Sequence, residues 1–192
     1  GLRYIPLLDD EGYPKGIFSI REMIYYLAKQ TENTKGRFSL RDGCEDAFGT
    51  SSSAIVEVLN LPISFALSRY GFNQVVRIGC EEPIGRAIKL FDGSHQLAGL
   101  LFDQGHLSGL FRVRDIPFKV LKNSDLEDQP VSKFMVPLPE TVGESETIGN
   151  GIARMARNEM LFLHYKISAQ KYGLITGTGL MSYLYDHIHD DF

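Results

Sequence analysis

The chain has 192 residues, of which 43% are hydrophobic, and a formal net charge of −4. This length supports one good core or two small ones, the negative charge offers no basic surface to nucleic acid, and no apolar run approaches the roughly 20 residues of a membrane span. We therefore expect a soluble, cytoplasmic protein that binds neither nucleic acid nor membrane. Its two cysteines, Cys44 and Cys80, lack the spacing of a disulfide framework or a zinc site.

The first predicted elements are a strand, a turn, a second strand and a helix. The pattern places the strands at Tyr4–Leu8 and Gly16–Phe18 and the helix at Ile20–Lys29. Ser19 stands where the cap of this helix belongs, and Glu22 follows three residues later. This spacing predicts a capping box.

The next segment, residues 31–73, is interpreted as a linker with short helices. Thr31–Ser53 is polar, rich in turn residues and carries little periodicity. Two helical pieces, Ala54–Leu59 and Ile63–Tyr70, are predicted on either side of Pro62, because proline fits the first turn of a helix but not its interior.

The remaining chain predicts the order strand, helix, strand, strand, helix twice. In the first unit we predict strands at Val75–Ile78, Leu97–Phe102 and Leu107–Phe111, a helix that opens at Pro83 and carries apolar residues at helical spacing, and a closing helix over residues 113–122. In the second unit we predict an opening strand near Phe134–Val136, a helix from Ile148 to Ala156, strands at Met160–Ile167 and Tyr172–Ile175, and a helix at Leu180–Ile188.

The strand, turn, strand, helix segment recurs along the chain. An offset of 93 residues, from Gly16 to Gly109, superposes the turn residues, both glycines and the phenylalanine of the first copy on the second. A looser third copy is centred on Gly173. Repetition at this spacing is typical of a protein built from similar small units.

These features together resemble a tandem pair of cystathionine β-synthase (CBS) domains, or Bateman module. The resemblance depends on the repeated element order, on Pro83-Ile84 at the first helix, and on the pattern Gly-apolar-apolar-Ser/Thr-x-x-Asp at the last junction between strand and helix. It implies an α/β (α+β) fold in which each unit is β-α-β-β-α and the two units form a pseudo-twofold pair. The units are residues 74–123 and 130–189, and residues 1–30 resemble the second half of another unit.

The resemblance also implies a regulatory role without catalysis. CBS pairs commonly bind AMP, ADP, ATP or S-adenosylmethionine in clefts between the units, where the Ser/Thr hydroxyl faces phosphate and the Asp takes the ribose hydroxyls. The corresponding candidate ligand-binding residues in this chain are Ser19 with Glu22, Arg112 with Asp115, and Thr176 alone, because Gly179 stands where its carboxylate partner would be. A helix N-terminus attracts an anion and a carboxylate accepts hydroxyl donors, so the pattern has a physical basis. No copy holds both preferred residues.

Other interpretations stay open at this point. In one alternative, Ser19 and Thr176 cap their helices and bind no ligand, and Arg112 with Asp115 is a surface charge pair. The chain can be a ligand-free oligomerisation scaffold, or a regulatory fragment of a larger enzyme or transporter. We expect a homodimer, and we expect the half-unit to be completed by residues upstream or by a partner chain, because alone it exposes an apolar sheet face.

Overall fold

The computed structural model describes residues 4–44, 52–67, 75–94, 96, 98–115, 126–138, 141–168 and 172–189. The strands in this part of the chain are Tyr4–Leu8 (β1), Pro14–Ser19 (β2), Thr31–Thr34 (β3), Arg37–Leu40 (β4), Val76–Gly79 (β5), Ala98–Asp103 (β6), His106–Arg112 (β7), Phe162–Lys166 (β8) and Tyr172–Thr176 (β9). The α-helices are Ile20–Gln30 (α1), Ser52–Asn60 (α2), Ser64–Leu67 (α3), Ile84–Lys89 (α4), Ile148–Arg157 (α5) and Gly177–His189 (α6). The mixed α/β composition predicted from the sequence is confirmed.

The first full unit is built around a three-stranded sheet in the order β5-β6-β7. β5 runs parallel to β6, with α4 as the crossover, and β6 pairs with β7 in an antiparallel hairpin. The apolar spacing of α4 places Ile84 and Ala87 in the core of the unit, where both are fully buried. The closing helix predicted over residues 113–122 begins as a short 3-10 helix at Val113–Asp115, and residues 116–122 lie outside the described part.

The second full unit holds the antiparallel hairpin of β8 and β9 between α5 and α6. Its predicted opening strand near Phe134–Val136 is wrong in the described residues. A 3-10 helix, Val131–Phe134, is followed by a single antiparallel bridge between Leu110 and Val136. Two prolines follow at positions 137 and 139, and a proline cannot donate a ladder hydrogen bond, so the pairing does not extend.

The two full units pack sheet against sheet, as the resemblance implied. Ala98, Leu100 and Leu110 on the inner face of β6 and β7 meet Phe162 and Leu174 on the inner face of β8 and β9 in one apolar cluster. Antiparallel partners share a face, which is why Leu100 and its partner Leu110 lie on the same side. The opposite face of each sheet packs on helices.

The half-unit consists of the β1–β2 hairpin and α1. α1 packs on the second unit through Ile24 and Leu27, which are buried in the core that α5 and α6 share. The hairpin itself forms a separate two-stranded sheet, and every residue of β1 is exposed.

The hairpin departs by one residue from the offset that the sequence repeat predicts. Leu7 pairs with Gly16, whereas Leu100, which the offset aligns with Leu7, pairs with Leu110. The offset of 93 therefore holds for β2 and α1, while β1 is shifted by one position. The positions that correspond to the inner face of β6 and β7 are Tyr4, Pro6, Leu8 and Ile17, which we call the open hairpin face.

Residues predicted as an irregular linker form a second hairpin. β3 and β4 pair in antiparallel fashion through a turn in which Lys35 and Gly36 have φ values of 55° and 85°. The side chain of Asn33 accepts the N–H of Gly36 at 2.9 Å. The two short helices predicted around Pro62 are present as α2 and α3, although residues 68–70 lie outside the described part.

Candidate functional site

The predicted site residues lie at three junctions, each of which joins the last strand of a unit to its following helix. Arg112 ends β7 and is the cross-strand partner of Ala98, and Thr176 ends β9 and is the partner of Phe162. Because Ala98 and Phe162 both belong to the apolar cluster between the units, Arg112 and Thr176 lie at the ends of the two facing sheet surfaces. Ser19 ends β2 in the half-unit.

Arg112 and Asp115 form an ion pair at the junction of the first unit. Arg112 Nε donates to Asp115 Oδ2 at 2.7 Å, and the two side chains are only 17% and 13% exposed. Arg114 Nε lies 3.8 Å from Asp115 Oδ1. The charge pair considered from the sequence is therefore present, but it is largely buried, and one carboxylate serves two guanidinium groups.

The surroundings of Arg114 are rich in positive charge. Burial lowers the pKa of Arg114, the charges of Arg112 and Arg21 lower it further, and Asp115 raises it. Arg21 belongs to the first turn of α1, so the half-unit contributes a cation to the junction of the first unit. Asp115 pairs with Arg112 and Arg114, and Arg21 adds a third positive charge near Arg114; this excess of positive charge favours the approach of an anion such as phosphate.

Thr176 caps α6. The N–H of Gly179 donates to Thr176 Oγ1 at 3.0 Å, and the N–H of Gly177 donates to the carbonyl oxygen of Leu161 at 2.8 Å. The hydroxyl of Thr176 still has its own proton to donate, and it stands at the positive end of a helix. Gly179 offers no carboxylate, so this junction can serve phosphate but has no ribose acceptor at the expected position.

The capping box predicted at Ser19 and Glu22 is wrong. Ser19 makes no side-chain hydrogen bond to a backbone N–H of α1. Its hydroxyl instead donates to the carboxylate of Glu22. A hydrogen bond to a charged acceptor is stronger than one between neutral groups, so the rotamer that reaches the carboxylate prevails over the one that caps the helix.

The half-unit brings its junction against that of the second unit. A Cβ added to Gly177 would lie 2.6 Å from Ile24 Cδ1 and 3.4 Å from Ile20 Cγ2. The first turns of α1 and α6 are therefore in close contact, and glycine at position 177 permits the approach. Since Arg21 in the same turn acts on Arg114, the Ser19–Glu22 junction lies near both of the others.

Two polar residues in this region escape the sequence pattern, Thr141 and His164. His164 lies in the middle of β8 and is 4% exposed, and its Nε2 is 2.8 Å from Thr141 Oγ1. Its Nδ1 is buried and has no hydrogen-bond partner among the described residues. Burial lowers the pKa of His164, which favours the neutral ring. The only signal in the sequence is a histidine between the apolar Leu163 and the aromatic Tyr165.

The described residues contain no group of three or more His, Cys, Asp or Glu side chains placed to hold a metal ion. None of their helices combines the length and the apolar character that crossing a membrane requires.

The capping bonds predict different effects of two hydroxyl substitutions. Thr176→Val should lower the free energy of unfolding by about 1 kcal/mol, because it removes the bond to the N–H of Gly179. Ser19→Ala should change it by less than about 0.5 kcal/mol, because Ser19 caps nothing. Urea denaturation of both variants checks this difference, and equal losses would contradict the assignment of Thr176 as the cap.

No protein-family model matches the sequence, and no curated protein matches it either. Solved structures do match. A CBS-domain-containing protein from Agrobacterium tumefaciens is 20% identical, with a TM-score of 0.56 over 63% of this chain and 91% of that one. The CBS domain of a bacterial CNNM/CorC family Mg²⁺ transporter, solved in complex with ATP, is 16% identical, with a TM-score of 0.57 over 71% and 92%. The chain has the CBS-domain fold.

One longer solved structure matches almost the whole of this chain, including the half-unit. A protein from Methanocaldococcus jannaschii, described as a candidate archaeal homologue of γ-AMPK, is 12% identical, with a TM-score of 0.65. The match covers 95% of this chain and 59% of that protein. The resemblance inferred from the repeat is thus confirmed at the level of the fold.

Proposed function

We propose that the chain is a regulatory, non-catalytic module that binds an adenosine-containing ligand, AMP, ADP, ATP or S-adenosylmethionine, between its CBS units. In this proposal it controls a protein that is attached to it or associates with it. The observation that carries the proposal is the position of Arg112 and Thr176 at the ends of facing sheet surfaces, each beside the start of a helix. The similarity of this fold to a CNNM/CorC CBS domain that was solved in complex with ATP supports the proposal.

Each candidate residue has a chemical role in the proposed site. Arg112 and Arg114 would bind phosphate oxygens, and Asp115 would accept the ribose hydroxyls once it is shared with the ligand. Thr176 would donate its hydroxyl to a phosphate at the start of α6. Ser19 and Glu22 would take the corresponding roles in the half-unit only after the bond between them opens.

The regulatory mechanism we propose is a population shift. A ligand that contacts residues from more than one unit binds best to one relative placement of those units and increases its population. The attached or associated protein would respond to that placement, and by linkage its state would alter the affinity of the ligand. The charge of Arg21 in the half-unit acts on Arg114 in the first unit, and coupling between the units can pass through this electrostatic interaction.

The homodimer expected from the sequence remains part of this proposal. Two hairpins of the repeat, β6–β7 and β8–β9, cover each other, whereas the β1–β2 hairpin lacks such a cover among the described residues. On the open hairpin face Tyr4, Leu8 and Ile17 are 64%, 58% and 66% exposed. A second copy offers the same apolar face, so a symmetric dimer would bury both. The cytoplasmic location likewise stays a prediction.

The experiment that tests ligand binding is thermal unfolding with AMP, ADP, ATP and S-adenosylmethionine, each added separately. A ligand at 100 times its Kd stabilises the native state by about 2.7 kcal/mol, which should raise Tm by roughly 5–11 °C. Inorganic phosphate alone serves as the control for a nonspecific anion effect. No rise with any adenosine compound would contradict the proposal and favour the ligand-free oligomerisation scaffold. The length of the parent reading frame tests the other alternative, that the chain is a regulatory fragment of a larger enzyme or transporter.

A further inference from the structure

The described residues include two buried polar side chains, Thr31 and His164, which differ in their hydrogen bonding. Thr31 is 5% exposed, and its hydroxyl donates to the carbonyl oxygen of Leu27 at 2.7 Å. His164 is 4% exposed, yet only one of its ring nitrogens has a partner, Nε2 with Thr141 Oγ1. Buried polar atoms in folded proteins are paired in the great majority of cases, and an unpaired one is destabilising. The unpaired Nδ1 therefore needs an explanation.

The position of His164 on its strand connects it to the proposed ligand site. His164 pairs with Leu174, and Phe162 pairs with Thr176, so alternate residues of β8 and β9 place His164 and Thr176 on the same face. That face meets the first CBS unit. Diagonal neighbours on an antiparallel pair are roughly 7–8 Å apart. A ligand with a phosphate at Thr176 that extends along this face therefore reaches His164.

The partner of Nε2 holds the ring in place. Thr141 is itself fixed, because its carbonyl oxygen accepts a hydrogen bond from Arg154 at 3.0 Å. Next to Thr141, Val142 forms a parallel bridge to Tyr165, the neighbour of His164. The orientation of the imidazole is thus set from one side by the opening segment of the second unit, which leaves Nδ1 as the nitrogen available for recognition.

We propose that His164 contacts the bound adenosine ligand, and that its Nδ1 forms a hydrogen bond with the polar edge of the adenine base while the phosphate lies at Thr176. This inference rests on the proposed function. The edge of adenine presents both a ring-nitrogen acceptor and an amino donor, so either neutral tautomer of His164 finds a complementary group. Nδ1 is covered in the described structure, and the ligand reaches it by displacing a neighbouring side chain. Tyr172, whose ring centroid is 6.4 Å from that of His164, is one such neighbour.

Substitutions that mimic one ring nitrogen at a time test the contact. In His164→Asn the side-chain amide stands near the position of Nδ1, and in His164→Gln it reaches the position of Nε2. Titration calorimetry of the whole chain with AMP and with ATP should show a loss of affinity of roughly tenfold or more for His164→Gln and less than about threefold for His164→Asn.

A measurement on the unsubstituted protein guards against variants that fail to fold. The ¹⁵N chemical shift of His164 Nδ1 should change when ATP is added, because its hydrogen bonding changes. If the wild-type chain binds AMP or ATP but this shift stays constant, or if His164→Asn loses more affinity than His164→Gln, the contact is refuted while the proposed function survives. If the wild-type chain binds none of AMP, ADP, ATP and S-adenosylmethionine, both the contact and the proposed function are refuted.

Discussion

Leu110→Ala should lower the free energy of unfolding by about 3 kcal/mol, and Tm by roughly 6–12 °C. Leu110 lies in β7, is completely buried, and belongs to the apolar cluster that joins the two CBS units. Removing its side chain loses the transfer free energy of the missing carbons and leaves a cavity that the two sheets cannot both close. Calorimetry or urea denaturation measures the change.

The matched control for this prediction is Ile17→Ala. Ile17 is the counterpart of Leu110 in the repeat, at the same position of its hairpin, but it is 66% exposed on the open hairpin face. In a monomer the loss should stay below about 1 kcal/mol, because only strand propensity changes. In the proposed homodimer the loss should instead grow with protein concentration, and sedimentation velocity should detect twice the mass of one chain. Equal losses for both variants in a monomer would contradict the buried role of Leu110.

Asp115→Ala should weaken the binding of AMP by roughly 10- to 150-fold. The loss corresponds to about 1.5–3 kcal/mol for a hydrogen bond to a charged group, in this case the ribose hydroxyls on the carboxylate. The affinity for inorganic pyrophosphate should stay the same or rise, because the substitution releases Arg112 and Arg114 from the carboxylate. Titration calorimetry with the two ligands separates the ribose effect from the phosphate effect.

The control for this second prediction is Asp10→Ala, which removes a carboxylate from the exposed turn of the β1–β2 hairpin. It should bind AMP with the affinity of the unsubstituted chain. Unchanged AMP binding in Asp115→Ala would remove Asp115 from the site. A parallel loss of AMP and pyrophosphate would mean that the substitution damages the junction as a whole rather than the ribose contact.

The hairpins that carry the repeat were predictable because their signals are local. Apolar runs interrupted by Gly-containing turns define β6–β7 and β8–β9, and helical spacing defines α4 and α5. The β3–β4 hairpin escaped prediction for an equally local reason. Phe38 is its only buried residue apart from Thr31, and its turn uses Lys35-Gly36 rather than the usual Asn-Gly or Asp-Gly.

The constant offset of the sequence repeat cannot reveal the one-residue shift of β1. In the first hairpin Leu8 pairs with Pro14 across a loop of residues 9–13, whereas Asp103 pairs with His106 across Gln104-Gly105. Loop geometry sets the register, and a shift by one residue moves every side chain of a strand to the other face. The sequence alignment therefore identified the repeated hairpin correctly, but its offset is wrong by one residue for β1.

The candidate site shows the same division between local and long-range information. The junction residues Arg112, Asp115 and Thr176 followed from a short pattern, and the structure places them at the ends of facing sheets. The proximity of Arg21 to Arg114, and of Thr141 to His164, depends on how distant segments pack. Such contacts have no signature in spacing, so a single sequence cannot reveal them.

Pro6 affects how the exposed β1–β2 hairpin can associate with other chains. Among the described residues β1 has no strand beside it other than β2, unlike β6, which also pairs with β5. An uncovered edge of this kind can recruit strands from other chains into fibrils. Proline has no N–H to offer to an incoming strand, and Pro6 stands in the middle of β1. Growth along the edge would miss a ladder bond at this position with every added copy, whereas contact through the flat side of the hairpin closes after two copies. Pro6 therefore disfavours growth of a sheet along this edge relative to the closed pairing of two hairpin faces.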